Sequence, residues 1–170
     1  TISDQSRHYV AEFDTTGGHI GIFAPAGGVN TAILQNLRGH NYRNNDGNLV
    51  VTVGAGGNNN SVPEFDRTGN YLGQFITAAS GGLNSPFDII FRANDVLVSG
   101  SSSNAVHRYD LNGVYLNNLI TGQSFPQQIF EMSNGNIAVA NFSTGGGIRV
   151  YDNSGTLVQN LTGATGNRGV

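Results

Sequence analysis

One eight-residue pattern occurs four times in this chain and restricts its fold more than any other feature. It reads Val10-Ala-Glu-Phe-Asp-Thr-Thr-Gly17, Val62-Pro-Glu-Phe-Asp-Arg-Thr-Gly69, Val106-His-Arg-Tyr-Asp-Leu-Asn-Gly113 and Ile148-Arg-Val-Tyr-Asp-Asn-Ser-Gly155. The aromatic residues stand at 13, 65, 109 and 151, so the spacings are 52, 44 and 42 residues. Asp-x-x-Gly has a physical reading as a hairpin turn. The carboxylate accepts from backbone N–H groups two residues on, and Gly supplies the position with φ > 0. After each Gly comes a second apolar stretch, as in Tyr71-Leu-Gly-Gln-Phe75 and Tyr115-Leu-Asn-Asn-Leu119. Each copy is therefore a strand, a tight turn and a strand.

Helical periodicity is nearly absent. Runs such as Asn48-Leu-Val-Val-Thr-Val53, Val96-Leu-Val-Ser99 and Asn136-Ile-Ala-Val-Ala-Asn141 are strand-length, β-branched and bounded by turn formers. Ahead of them lie Ser85-Pro-Phe-Asp-Ile-Ile-Phe91 and Phe125-Pro-Gln-Gln-Ile-Phe130, with Arg38-Gly-His-Asn-Tyr42 in the same place in an earlier copy. One repeat is thus four strands: inner, buried, aromatic–Asp and outer. Four strands per ~40–50 residues is the blade of a β-propeller. The predicted fold is all-β, with blades of four antiparallel strands in an incomplete ring. The predicted boundaries are a partial blade at 1–24, blades at 25–77, 78–121 and 122–162, and a linker or the start of a further blade at 163–170.

The stretch Ser3-Asp-Gln-Ser-Arg-His-Tyr-Val-Ala-Glu-Phe-Asp14 resembles the core of an NHL-type propeller repeat, roughly Asp-x-x-Asn-His-Arg-Ile-x-x-Phe-Asp. Residues 126–139, with Pro-x-x-Ile followed by Asn-Gly-Asn-Ile-x-Val, resemble its other half. The later copies depart from it, with Asn104-Ala-Val and Gly145-Gly-Gly in place of the Asn-His-Arg triplet. The resemblance implies a propeller architecture and says almost nothing about activity. Related extracellular propellers with looser repeats fit as well.

In this register Thr1-Ile-Ser-Asp4 aligns with Val139-Ala-Asn-Phe142, so the first residues fall inside the second strand of a blade. Three whole blades and most of half of another are expected. Propellers use ~4–8 blades. The expectation is a piece of a longer chain, or an assembly in which copies complete one another's ring.

Composition excludes several function classes. Eight Arg, no Lys and eleven acidic residues leave a net charge of -3, so a phosphate backbone has no electrostatic footing and nucleic acid is not an expected partner. No run approaches the ~18 apolar residues of a membrane helix, and membrane insertion is not expected. Without Cys there is no disulfide framework, thiolate metal site or Cys nucleophile. Gly54-Ala-Gly-Gly57 is no dinucleotide motif, because no helix follows it. Asn59, Asn141 and Asn160 each begin an Asn-x-Ser/Thr pattern, which is expected by chance with 22 Asn in the chain.

Two constellations could carry function. His40, Asp88 and Gln128 each lie two residues after the Pro or its equivalent, where inner strands would ring a central channel. A His, a carboxylate and an amide converging there could take a polar ligand or a hard divalent ion such as Ca²⁺. The competing reading is a set of polar liners bonded to water and backbone. The loops after the buried strands are small, polar and uncharged, and Asn58, Asn60, Ser102, Asn141 and Phe142 suit neutral glycan hydroxyls. Their competing reading is as plain connecting loops. The aspartates 14, 66, 110 and 152 recur in every blade, as expected of residues that serve the fold. The first functional reading is a non-catalytic module, secreted, periplasmic or on the cell surface, that binds protein, glycan or further copies of itself and requires no cofactor. The alternative is a metal-assisted lyase or hydrolase with its site in the channel.

Overall fold

The computed structural model describes residues 1–143, 145–161, 163 and 166–170. Thr144 of the loop 141–147, Thr162 of the Asn160 acceptor pattern and residues 164–165 of the C-terminal segment lie outside the described residues. Fifteen strands and one short 3-10 turn at Ser80–Gly82 make up the regular structure of the described residues. The first sheet has three strands, β1 (Ile2–Asp4), β2 (Tyr9–Phe13) and β3 (His19–Ala24). The second contains β4 (Gln35–Tyr42), β5 (Leu49–Ala55), β6 (Val62–Phe65) and β7 (Tyr71–Ile76). The third contains β8 (Pro86–Phe91), β9 (Val96–Gly100), β10 (Ala105–Tyr109) and β11 (Tyr115–Ile120). The fourth contains β12 (Pro126–Glu131), β13 (Ile137–Asn141), β14 (Ile148–Tyr151) and β15 (Leu157–Leu161). All pairings are antiparallel between sequence neighbours, so each sheet is a meander running outwards from its first strand. The sheets are propeller blades, and the ring they describe is not closed.

The four hairpins form as the sequence dictates. Oδ1 of Asp14 accepts from the N–H groups of Thr16 and Gly18, both at 2.8 Å. Asp66, Asp110 and Asp152 accept from the residues two and four positions on in the same way. These bonds hold the Asp14, Asp66 and Asp152 carboxyls below the usual range, with the side-chain hydroxyl or amide of the turn as the largest cause. Gly17, Gly69, Gly113 and Gly155 take φ of 87°, 81°, 81° and 83°.

Three of these glycines do more than turn. A Cβ on Gly69 would overlap the Phe23 carbonyl oxygen of the preceding blade's outer strand. One on Gly113 would overlap that of Phe75, and one on Gly155 that of Leu119. A Cβ on Gly17 would meet open space. Blades therefore stack with hairpin backbone against outer-strand backbone, and no side chain fits between them.

The aromatic residues ahead of Asp66, Asp110 and Asp152 fill the space between adjacent sheets inward of this contact. Phe65 packs with Val10 and Ala24 of the first sheet and with Leu37 and Leu49 of its own. Tyr109 lies among Val50, Val62 and Ile76 of the second sheet and Ile89 and Val98 of the third. Tyr151 lies among Leu97, Val106 and Ile120 of the third and Ile129 and Val139 of the fourth. The core is thus a series of inter-blade layers. Ile76 and Ile120 end their outer strands buried under the following blade, whereas Leu161 at the same pairing position is 43% exposed.

Gly113→Ala and Gly17→Ala separate turn strain from blade stacking. Both incur ~1 kcal/mol for a side chain at positive φ. Gly113→Ala adds the ~1–3 kcal/mol of overpacking, so urea denaturation should show it at least about 1 kcal/mol less stable than Gly17→Ala. Equal losses would mean that the hairpins do not contact the neighbouring blade. Tyr109→Ala should lose about 3–5 kcal/mol in the same measurement.

Candidate functional site at the channel mouth

The inner strands β4, β8 and β12 neighbour one another in blade order and form the channel wall. Each carries the same irregularity. Leu37 pairs with Val53 and His40 with Val51, so Arg38 and Gly39 lie opposite Thr52 alone. Phe87 and Asp88 likewise face Ser99, and Gln127 and Gln128 face Ala140. Two residues against one is a β-bulge, which re-aims the side chains it carries. Thr52 Oγ1 lies 3.1 Å from the Gly39 carbonyl of its own bulge and 2.9 Å from that of Phe87 in the next blade. Ser99 Oγ accepts from the Asp88 N–H at 3.0 Å and donates to the Gln127 carbonyl of the following blade. Buried hydroxyls thus fix each bulge to the inner strand beside it.

This register corrects one expectation. Leu37, not Arg38, stands where Pro86 and Pro126 stand, so the position equivalent to Asp88 and Gln128 is Gly39. His40 is equivalent to Ile89 and Ile129. The inner strand of the second blade has no proline, and the count from downstream residues slips by one across the bulge. A Cβ on Gly39 would lie 2.6 Å from the Phe87 oxygen and 2.8 Å from Asp88 Oδ1, so glycine allows the close approach. His40 Nδ1 instead lies 2.8 Å from Ser3 Oγ and its Nε2 3.1 Å from Thr1 Oγ1. Burial, together with the N-terminal charge, lowers its pKa.

Asp88 and Gln128 do line one open depression of about 320 Å³, with Ser3, Gln5, Leu37, Arg38, Gly39, Phe87 and Arg168. The side-chain oxygens of both are engaged. Asp88 Oδ1 accepts from its neighbour Ile89 N–H at 2.9 Å, and Oδ2 from Ile129 N–H of the next blade at 3.0 Å. Gln128 Oε1 accepts from the Val170 N–H at 2.9 Å. Burial raises the Asp88 pKa to about 6, against the two amide bonds that favour its charged form.

The loop candidates separate by role. Asn60 and Asn104 take positive φ just before the third strand of their blades. Their Oδ1 atoms accept from Ser85 N–H (2.8 Å) and Phe125 N–H (3.2 Å) of the following blade. His8 Nδ1 takes the same place against Asn36 N–H at 3.4 Å. Asn58 Oδ1 accepts from Gln74 Nε2 and its Nδ2 donates to the Ile33 carbonyl. Asn141 is fully buried and accepts from Ser124 N–H at 2.9 Å. These amides hold loops and blades together. Ser102 is exposed, with its backbone N–H on the Asn84 carbonyl. Phe142 alone of this group faces the channel mouth, where it lines a second depression with Gln5, Arg38, Phe87, Phe125, Gln127 and Arg168.

Sequence reasoning missed the cations. Arg38 lies over the Phe87 ring at 5.1 Å and Arg168 over the Phe142 ring at 4.8 Å. Burial, and after it the charge of Arg168, lowers the Arg38 pKa. Neither arginine enters an ion pair among the described residues, whereas Arg7, Arg43, Arg92 and Arg108 all do. A signal existed: Arg38-Gly39 recurs as Arg168-Gly169. A Cβ on Gly169 would lie 2.9 Å from Gln128 Oε1, as one on Gly39 would lie against Asp88. At the opposite end of the strands Asp95 takes two bonds of 2.6 Å from Arg92 and one of 2.5 Å from Arg108. With Glu131 4.0 Å from Arg92, that cluster is internally neutralised and clamps the blade.

Solved structures share the fold at low identity. A catalytically inactive virginiamycin B lyase from Staphylococcus aureus, solved with quinupristin, aligns at TM-score 0.69 and 14% identity over 96% of this chain and 52% of that one. A putative gluconolactonase aligns at 0.70 and 16%, covering 96% of this chain and 59% of that one. A protein of unknown function from Bacteroides caccae gives 0.61 and 18%, covering 91% and 54%. The chain therefore spans little more than half the length of these neighbours, and the likeness establishes a propeller fold. No family model matches the chain, and no curated protein matches it.

The raised Asp88 pKa has a testable sign. Its proton is held more tightly in the folded protein, so the stability it adds is full below about pH 4 and is lost as pH rises through about 6. The stability of the wild type minus that of Asp88→Asn should fall by on the order of 1–3 kcal/mol between pH 4 and 7. The depressed pKa values of His40 and His107 act in the opposite direction and cancel in the difference. A flat difference in urea denaturation would place Asp88 in open solvent.

Proposed function

We propose that the chain is a non-catalytic binding module, acting outside the cytoplasm, whose channel mouth receives a glycan. One observation carries this reading. The mouth gathers uncompensated hydrogen-bond donors and three aromatic rings, Phe87, Phe125 and Phe142, around an open depression, while its one carboxylate, Asp88, is committed to the fold. Asp88 is the one carboxylate among the described residues lining it, and no histidine lines it. Acid–base catalysis by a pair of groups has no second member there. Rings flanked by planar donors suit a sugar, whose C–H face stacks and whose hydroxyls bond at the edge.

The alternative, a metal-assisted lyase or hydrolase, needs a divalent ion such as Ca²⁺ held by ~6–8 oxygens. The residues present do not fit one. Among the described residues no group of three or more His, Asp or Glu side chains is placed to hold an ion. The oxygens of Asp88 and of Gln128 already accept from backbone amides.

An immobilised glycan panel tests the reading. Binding should persist in EDTA, and Phe142→Ala should weaken it at least tenfold while leaving the denaturation midpoint within about 2 °C of the wild type. Binding that disappears in EDTA and returns with Ca²⁺, or chemical conversion of the bound glycan, would favour the enzyme instead.

A further inference from the structure

The mouth contains one more unmatched group. Gln127 sits in the fourth-blade bulge at 3% exposure, and its Oε1 has no donor among the described residues. It lines the same depression as Arg38, Arg168, Phe125 and Phe142. A buried acceptor without a donor loses its hydration and gains nothing in return, so a ligand hydroxyl that reaches it is favoured. Arg38 Nη1 donates to Ser85 Oγ at 3.0 Å, which leaves the rest of its guanidinium fork without an acidic partner. Two cations face one space without an anion between them, beside an acceptor that lacks a hydrogen.

We propose that the mouth is a carboxylate cradle for an acidic sugar, in which Arg38 and Arg168 clamp the carboxylate and Gln127 Oε1 accepts from a neighbouring hydroxyl. The proposal rests on the binding-module reading and names the class of its ligand. Guanidinium forks match the planar, bidentate geometry of a carboxylate. The phenyl rings beneath both arginines hold the forks in place and leave their outer edges to the ligand. A carboxylate between the arginines relieves their mutual repulsion, and an adjoining hydroxyl completes Gln127. A neutral sugar satisfies only the second requirement and a simple anion only the first. Asp88 stands on the same wall with both oxygens on the amides of Ile89 and Ile129, so its charge is turned into the backbone.

Calorimetry at low salt with glucuronate, glucose, acetate and inorganic phosphate decides the matter. Glucuronate should bind at least tenfold more tightly than glucose or phosphate. Arg168→Gln, a change in an exposed side chain, should weaken it at least tenfold, and Arg168→Lys by several-fold, because the charge survives and the fork does not. Gln127→Leu should weaken glucuronate and leave acetate unchanged. Glucose binding as well as glucuronate, indifferent to Arg168→Gln, would overturn the cradle while leaving the glycan-binding module intact. Phosphate binding more tightly than glucuronate would overturn the sugar-acid assignment. No heat with any of the four would overturn the cradle, and the glycan panel would then judge the module independently.

Discussion

Everything in this molecule depends on how closely one blade can approach the next at its outer end. The limit is set where the carbonyls of Phe23, Phe75 and Leu119 lie against Gly69, Gly113 and Gly155. The turn aspartate fixes the hairpin, and the glycine removes the only atom that would keep the strands apart. The aromatic residue four positions before the glycine then fills the space between adjacent sheets. One eight-residue unit thus supplies a turn, a spacer of minimal width and a core side chain. A glycine required by both backbone angle and contact is more constrained than one required by a turn alone, and Gly17, which meets nothing, marks the difference.

The inner end is governed by hydroxyls instead. Thr52 and Ser99 each sit opposite a two-residue bulge and bond across to the inner strand of the next blade. The bulge turns Arg38, Phe87, Asp88, Gln127 and Gln128 towards the mouth. Asn60 and Asn104 add a strut from the loop of one blade to the entry of the next inner strand. The geometry of the mouth is therefore held by bonds between blades, and the ligand-facing residues are borne by strands in place of free loops. Such support keeps a site within the tolerance that recognition needs.

These interactions differ in how plainly the sequence shows them. The Asp-x-x-Gly hairpins were legible because every group involved lies within five consecutive residues. The blade order followed from their spacing. The channel residues were partly legible: Asp88 and Gln128 share a wall, but His40 does not occupy the equivalent place, because a bulge sets two residues against one and Leu37 replaces the proline that would have marked it. The glycan reading of Asn58, Asn60 and Asn141 rested on residue type. Their partners, Ile33, Ser85 and Ser124, are 25, 25 and 17 residues away, and nothing local in the sequence announces such pairs. Arg168 left one local trace, the Arg-Gly pair it shares with Arg38, but its partner ring Phe142 belongs to a different loop and the contact between them does not show in the sequence.

The distribution of charge gives the mouth its character. The chain carries a net charge of -3, yet the four turn aspartates, which enter no ion pair among the described residues, all lie at the hairpin end of the strands. Arg38 and Arg168, which enter no ion pair among the described residues, lie at the loop end, whereas Arg67, equally without one, sits in a hairpin turn and donates to the Asp46 carbonyl. A strand of five residues separates the two ends by ~17 Å, about twice the ~8 Å screening length at physiological salt. The turn aspartates consequently do little to cancel the field at the mouth. Asp88, the acid close to it, is desolvated and bound to two backbone amides, so it answers the strands on either side before it answers the arginines. A protein that is acidic overall thus presents a locally cationic entrance, and an anion approaching the ring meets attraction at one end of the strands and repulsion at the other.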